Sequence, residues 1–238
     1  MAKQRLDQEM ARRGLVLSRS QAESWIKLGK VTVDGKSMTK PGSFVREDAD
    51  IVLSTTERYV SRAGLKLASV AQTLLIDFKD TIVLDVGSST GGFTDYALQH
   101  GATLVYAVDV GTDQLHPSLQ GHSHIELHEK TDIRDFTPGR TPDIIVIDVS
   151  FISLKDVLPA IEKMCDKQTI IIAMAKPQFE AERAEASKGV IKNDTMRRNI
   201  LKRLEVFMKM SFVILDKSDS EVAGAKGNRE RFYKLKLH

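Results

Sequence analysis

The sequence predicts an α/β chain: a mostly parallel, doubly wound sheet with helices on both faces, preceded by a small basic α+β unit. Three observations predict it. From residue 81 onward, apolar and β-branched runs alternate with stretches of helical periodicity, and runs apolar throughout belong to parallel strands covered on both faces. The first of these runs passes through a glycine-rich turn, Gly87-Ser88-Ser89-Thr90-Gly91-Gly92, directly into a helix. Finally, the positive charge is concentrated before residue 47, where ten lysines and arginines face four acids, although the chain as a whole carries a net charge of only +3. Such a separation marks a basic unit distinct from the sheet and suggests an anionic partner for it.

Helical periodicity runs through residues 3–28 and is interrupted at Gly14, with Leu6, Met10 and Leu15 forming one apolar stripe. Ser18 reads as the N-cap of a second helix, since Gln21 follows three residues later and Ala22, Trp25 and Ile26 recur at helical spacing. Gly29 ends that helix. Val31–Val33 and Ile51–Leu53 read as short strands, with Asp34-Gly35 as a hairpin turn. Residues 1–56 thus form the basic unit, 57–62 a linker, and 63–238 the sheet domain, which opens on a helix carrying Leu65, Leu67 and Val70. Strands are expected at Thr81–Val86, Leu104–Val110, Ile144–Val149, Thr169–Met174 and Phe212–Leu215, and helices near Phe93–His100, Leu154–Met164 and Thr195–Met210. The final segment, Arg231–Leu237, alternates Phe232, Lys234 and Lys236 with Tyr233, Leu235 and Leu237, the pattern of an edge strand.

The totals exclude several classes. A hydrophobic share of 42% and a charged share of 28% over 238 residues are those of a globular chain. A single cysteine, Cys165, read as a packed helical residue, excludes an internal disulfide and fits a reducing compartment. The first residues carry alternating charge in place of an apolar signal core, and Ile170–Ala175 is among the longest apolar runs, so a cytoplasmic location and no membrane association are expected. His122, His124 and His128 lack partners with ligand spacing, and no metal is expected.

In a doubly wound sheet, ligands sit at the carboxyl ends of the strands. The turn after the first strand departs from the G-x-G-x-x-G spacing of a dinucleotide site and carries Asp85 two residues before its first glycine. Asp109 ends the second strand, where a carboxylate can accept both ribose hydroxyls, and Asp132 follows a third strand, where it can contact an adenine. Turn plus acids favours S-adenosylmethionine, which has an amino group and a ribose but no phosphate; another nucleotide is the alternative. The candidate cofactor residues are Asp85, Gly87, Ser88, Ser89, Thr90, Gly91, Gly92, Phe93, Asp109, Val110, Asp132 and Ile133.

Asp148 and Lys176 each interrupt an apolar strand at its ligand end, which marks them as catalytic candidates as much as structural charges. Lys66, in the helix before the first strand, and Glu230, just before the last, read by themselves as surface charges. Together, two lysines and two acids at one sheet edge could form a charged cluster with perturbed proton affinities.

At this point the sequence resembles a known family, the TlyA-type proteins, often labelled haemolysins, which are ribosomal RNA 2′-O-methyltransferases. Arg5-Leu6-Asp7, Gly14-Leu15, Ser18-Arg19, Ala22, Ile26, Gly29-Lys30-Val31, Val33, Gly35, Lys40-Pro41 and Asp50-Ile51 resemble a small RNA-binding domain shared with a small-subunit ribosomal protein. Tyr59 through Leu67 resembles the family's linker and first catalytic lysine, and the remainder resembles an FtsJ-like, Rossmann-like class I methyltransferase domain. The resemblance implies a catalytic set at Lys66, Asp148, Lys176 and Glu230, with Lys176 as base or proton acceptor. Ala63, Thr112-Asp113, His116-Pro117-Ser118, Glu221 and Arg231 depart from the family pattern.

The implied reaction is methyl transfer from S-adenosylmethionine to a ribose hydroxyl of ribosomal RNA, in ribosomal subunits, by a monomer. Lysines and arginines contact phosphate, and Arg5, Arg12, Arg13, Ser18, Arg19, Lys27, Lys30 and Lys36 are the candidate RNA-binding residues. The competing readings are a non-catalytic ribosome-assembly factor and a membrane-active haemolysin.

Overall fold

The computed structural model describes residues 3–16, 19–27, 29–54, 59–182, 190–191, 193–222 and 227–238. Its N-terminal unit runs β1 (Lys3–Arg5), α1 (Leu6–Arg12), α2 (Arg19–Lys27), β2 (Val31–Val33), β3 (Lys36–Met38), β4 (Phe44–Arg46) and β5 (Ile51–Leu53). Strands β3-β2-β5 form one small antiparallel sheet and β1-β4 a two-stranded one. The hairpin at Asp34-Gly35 joins β2 to β3, both residues taking positive φ. Helix α1 begins later than periodicity suggests, because Lys3–Arg5 pairs with Phe44–Arg46 as a strand. Ser18, expected as both cap and RNA contact, lies outside the described residues.

The second unit runs α3 (Arg62–Ala71), β6 (Ile82–Val86), α4 (Gly92–Gln99), β7 (Leu104–Val108), β8 (Ile125–His128), β9 (Ile144–Ile147), α5 (Leu154–Glu162), β10 (Ile170–Ala175), α6 (Pro177–Glu180), α7 (Asp194–Met208), β11 (Phe212–Asp219) and β12 (Arg231–Leu237). The strand order is β11-β12-β10-β9-β6-β7-β8. Strands β8, β7, β6, β9 and β10 are parallel, and β12 is antiparallel to both neighbours. The chain walks outward from β6 to β8 and then returns to β9 on the other side of β6, so the order reverses between the central strands β6 and β9. That reversal opens a crevice at their carboxyl ends.

Successive strand residues point to opposite faces, and the two cores follow this alternation. Val83, Val105, Val146, Ile172, Met174 and Phe232 pack under α3 and α4. Leu84, Val108, Ile147, Ala173, Tyr233 and Leu235 pack under α5 and α7. The former core continues through Tyr59 into the N-terminal unit, where Gln21 donates from Nε2 to the Tyr59 carbonyl at 2.6 Å.

Two sequence expectations need correction. Strand β12 is interior; the edge is β11. Phe232, Tyr233 and Leu235 are buried on both faces, and Lys234 bends away to donate to the Leu74 and Leu75 carbonyls. Cys165 follows α5 instead of lying within it, and burial pushes its thiol up to about 12. No helix among the described residues is long and apolar enough to cross a membrane.

Candidate active site

The pleat aligns three of the four catalytic candidates. Asp148 and Lys176 each lie one residue past a strand end and Glu230 one residue before a strand start, and they share the parity of Val146, Met174 and Phe232, so they fall on the face covered by α3. The β10–β12 register pairs Ala175 with Arg231; its next rung sets Lys176 across from Glu230. Helix α3 delivers Lys66 to the same place, where its Nζ stands 2.6 Å from Glu230 Oε2. Lys176 Nζ stands 2.6 Å from Asp148 Oδ1 and donates to Ser150 Oγ at 2.7 Å. The result is two largely buried lysine–carboxylate pairs on adjacent strand ends.

Helix α3 can reach this edge because of two glycines. A Cβ on Gly64 would lie 2.9 Å from the Gly92 carbonyl oxygen, and one on Gly92 would lie 2.9 Å from Gly64 N. Any larger residue at either place would force α3 and α4 apart.

Glu230 sits in a frame of its own. Arg197 donates from Nε to the Arg229 carbonyl at 3.0 Å and pairs with Asp219 at 2.8 Å, while Arg231 pairs with Asp219 at 2.6 Å. Ser220 N donates to the Glu230 carbonyl at 3.0 Å. Burial pushes the Asp219 carboxyl up, but Arg231 and Arg197 outweigh it and hold the group below its ordinary value.

Beside the tetrad, a cavity of about 380 Å³ opens at the carboxyl ends of β6, β7 and β9. Of the expected cofactor residues, Gly87, Ser89, Asp109, Val110, Asp132 and Ile133 line it. Gly87 has φ +81, and a Cβ there would meet the Asp148 carbonyl oxygen at 2.9 Å, so the turn needs glycine twice over. Asp109 is oriented by backbone: Ser89 N donates to Oδ2 at 2.8 Å and Gly111 N to Oδ1 at 2.7 Å. Asp132 is committed elsewhere. It caps the turn Ile133–Asp135, Arg134 binds both its oxygens, and those hydrogen bonds hold it at about 2.

Six expected cofactor residues do not line the cavity. Thr90 is exposed, with its carbonyl accepting from His116 N. Gly91 starts α4 against Leu115 and Leu119, and Gly92 meets α3. Phe93 packs against Phe232 in the core, ring centroids 6.1 Å apart, because the first turn of α4 points it under the sheet. Asp85 and Ser88 are buried beneath the turn. Thr94 Oγ1 donates to Asp85 Oδ2 at 2.6 Å, whereas Asp85 Oδ1 and Ser88 Oγ make no hydrogen bond among the described residues. Burial pushes the Asp85 carboxyl up to about 7 against that hydroxyl, and the charges of Asp148 and Asp109 add to the rise.

Sequence reasoning missed Gln114, Ser150 and Phe151, which also line the cavity. Phe151 is 91% exposed, adopts φ +66 and leans on Phe179 with ring centroids 5.2 Å apart. A bulky residue held in the left-handed region carries backbone strain. Its loop is anchored by buried Glu180, which accepts from Leu154 N at 2.9 Å and from Ser153 Oγ.

In the N-terminal unit Lys27, Lys30, Lys36, Arg12 and Arg19 are exposed. Arg13 is not free for RNA: its three nitrogens bind Glu9 and the Ala49 and Glu47 carbonyls, clamping α1 to the turn after β4.

A family model described as FtsJ-like methyltransferase matches residues 59–237, and one for the S4 domain matches residues 4–51. Hemolysin A of Brachyspira hyodysenteriae is 37% identical over 232 residues, covering 95% of this chain and 97% of that protein. The 16S/23S rRNA (cytidine-2'-O)-methyltransferase TlyA of Mycobacterium tuberculosis is 36% identical over 239 residues, covering 98% of this chain and 89% of that one. A solved structure from Streptococcus thermophilus is 35% identical with a TM-score of 0.74, covering 100% of this chain and 89% of that one. The chain therefore belongs to the FtsJ-like methyltransferase family and carries an S4 domain ahead of its methyltransferase domain.

Proposed function

We propose that this chain transfers a methyl group from S-adenosylmethionine to a ribose 2′-hydroxyl of ribosomal RNA, acting in the cytoplasm as a monomer on ribosomal subunits. The carrying observation is the pairing of Lys66 with Glu230 and Lys176 with Asp148 on one face of the sheet edge, beside the cavity at the reversal of strand order. TlyA of Mycobacterium tuberculosis, by name a cytidine-2'-O-methyltransferase of ribosomal RNA, supports the choice of acceptor.

The residues present fit the cofactor. Each Asp109 carboxylate oxygen accepts one backbone N–H, from Ser89 or Gly111, which leaves each a lone pair for a ribose hydroxyl. Asp85 Oδ1 and Ser88 Oγ, buried beneath the turn, make no hydrogen bond among the described residues, and an amino group reaching them would supply a donor. When bound, the cofactor supplies an activated methyl group.

The protein's part is alignment and proton handling. Lys176 in its amine form takes the hydroxyl proton. The ammonium it becomes would be held by Asp148 Oδ1, 2.6 Å from Nζ, and by donation to Ser150 Oγ. Lys66 neutralises Glu230, so that Glu230 faces the reaction as half of an ion pair instead of an isolated buried charge. Phe151 offers an exposed ring at the rim on which a base can stack.

Lys176→Ala tests the assignment. Transfer should be lost while cofactor affinity, measured by calorimetry, stays within a few-fold of wild type; substantial residual transfer would remove Lys176 from the mechanism.

A further inference from the structure

The sequence counts arginines as positive charge; the structure shows two of them built onto one buried acid. Asp7, in the first turn of α1, is fully buried. Arg5 grips it with Nε at 3.0 Å and a terminal nitrogen at 2.8 Å, and Arg19, the first residue of α2, donates from Nε to Oδ2 at 2.9 Å. Gln8 N occupies the remaining side of Oδ1 at 3.0 Å. The two arginine side chains are 37% and 51% exposed; Arg5 is pinned along its inner edge and open along its outer one, while a terminal nitrogen of Arg19 also meets the half-buried Glu23 at 3.4 Å. Burial pushes the Asp7 carboxyl up, but the two guanidiniums outweigh it and hold the group at about 2, so it stays charged across the physiological range.

We propose that Asp7 is a positioning residue for RNA, fixing Arg5 and Arg19 side by side as a two-pronged phosphate clamp on the S4 domain. This rests on the reading that the S4 domain binds RNA. Two guanidiniums would otherwise repel each other, and each would lose rotamer freedom on meeting a phosphate. The carboxylate between them removes both obstacles before RNA arrives. Glu9 does not duplicate this device: it holds Arg12, but its second partner, Arg13, is consumed by backbone carbonyls.

The proposal makes a prediction opposite to that from net charge. Asp7→Asn adds a positive charge, so a surface acting through charge alone would bind RNA more tightly and with a steeper salt dependence. A positioning role predicts affinity weaker by about 5-fold with no steeper salt slope. Arg5→Lys keeps the charge but lacks the fork, and should also weaken binding.

The experiment is fluorescence anisotropy of the full chain with a labelled ribosomal RNA stem–loop across a salt series, with thermal unfolding monitored for every variant. If Arg5→Ala combined with Arg19→Ala leaves affinity unchanged, this face does not bind RNA and the underlying reading fails. If that double variant loses affinity while Asp7→Asn and Arg5→Lys bind as tightly as wild type or more so, the arginines act as charge alone and the positioning role is overturned. Should Asp7→Asn fail to fold, Arg5→Lys decides the matter by itself.

Discussion

Replacing Asp85 by Asn should change how pH acts on the stability of this fold. Asp85 lies under the glycine turn with one oxygen bound by Thr94 and the other without a hydrogen bond among the described residues, and its carboxyl is raised from 3.8 to about 7. Between those values the folded chain keeps a proton that the unfolded chain has released. Folding there takes up a proton, so the Asp85 contribution to stability is fully present below pH 4, declines as pH rises, and is gone above pH 7. At 1.36 kcal/mol for each pH unit, the contribution lost across that window reaches about 4 kcal/mol. Asparagine cannot ionise and keeps the shape. The variant should therefore match wild type near pH 4 and exceed it progressively up to pH 7, with a constant margin above that, while binding S-adenosylmethionine less well because the buried carboxylate is gone. Urea unfolding at a series of pH values, read as the difference between the two proteins, measures this directly. A difference that does not vary with pH, or an Asp85 carboxyl that titrates near 4 by NMR, would refute the reasoning.

Phe151→Gly should stabilise the fold by about 1 kcal/mol in thermal unfolding, since it relieves a left-handed non-glycine backbone, and should raise the KM for RNA because the exposed ring is lost. Gly87→Ala should abolish measurable cofactor binding by calorimetry, as its Cβ would press on the Asp148 carbonyl from a strained φ. Asp219→Asn should lower kcat by about 10-fold with cofactor affinity unchanged, because the segment bearing Glu230 loses the partner of Arg197 and Arg231; an unchanged kcat would remove the frame from the account.

The central strands were legible because each is apolar on both faces, and the glycine turn because its spacing departs from that of a dinucleotide site. Strand β12 misled, since alternating lysines suggested a solvated face, whereas Lys234 folds back onto the turn that follows α3. Periodicity could not show the role of Phe151, because nothing in its neighbours announces a left-handed phenylalanine. The engagement of Arg13 was equally hidden: its two carbonyl partners come from a turn more than thirty residues away, and charge counting treats every arginine alike. The commitment of Asp132 to Arg134 is a local pairing two residues apart and was there to be read. That Lys176 pairs with Asp148 and Lys66 with Glu230 depends on how the ends of β9, β10 and β12 meet α3 in space, which no local pattern encodes.

The central claim, methyl transfer to a ribose hydroxyl of RNA, is tested most directly by incubating the purified chain with isotope-labelled S-adenosylmethionine and unmodified ribosomal RNA, or subunits containing it. The RNA is then digested to nucleosides and separated by mass spectrometry. The account predicts label in a 2′-O-methylated nucleoside, absent when Lys176→Ala replaces the wild type. Label on a base, or no label in any ribosomal RNA, would contradict it.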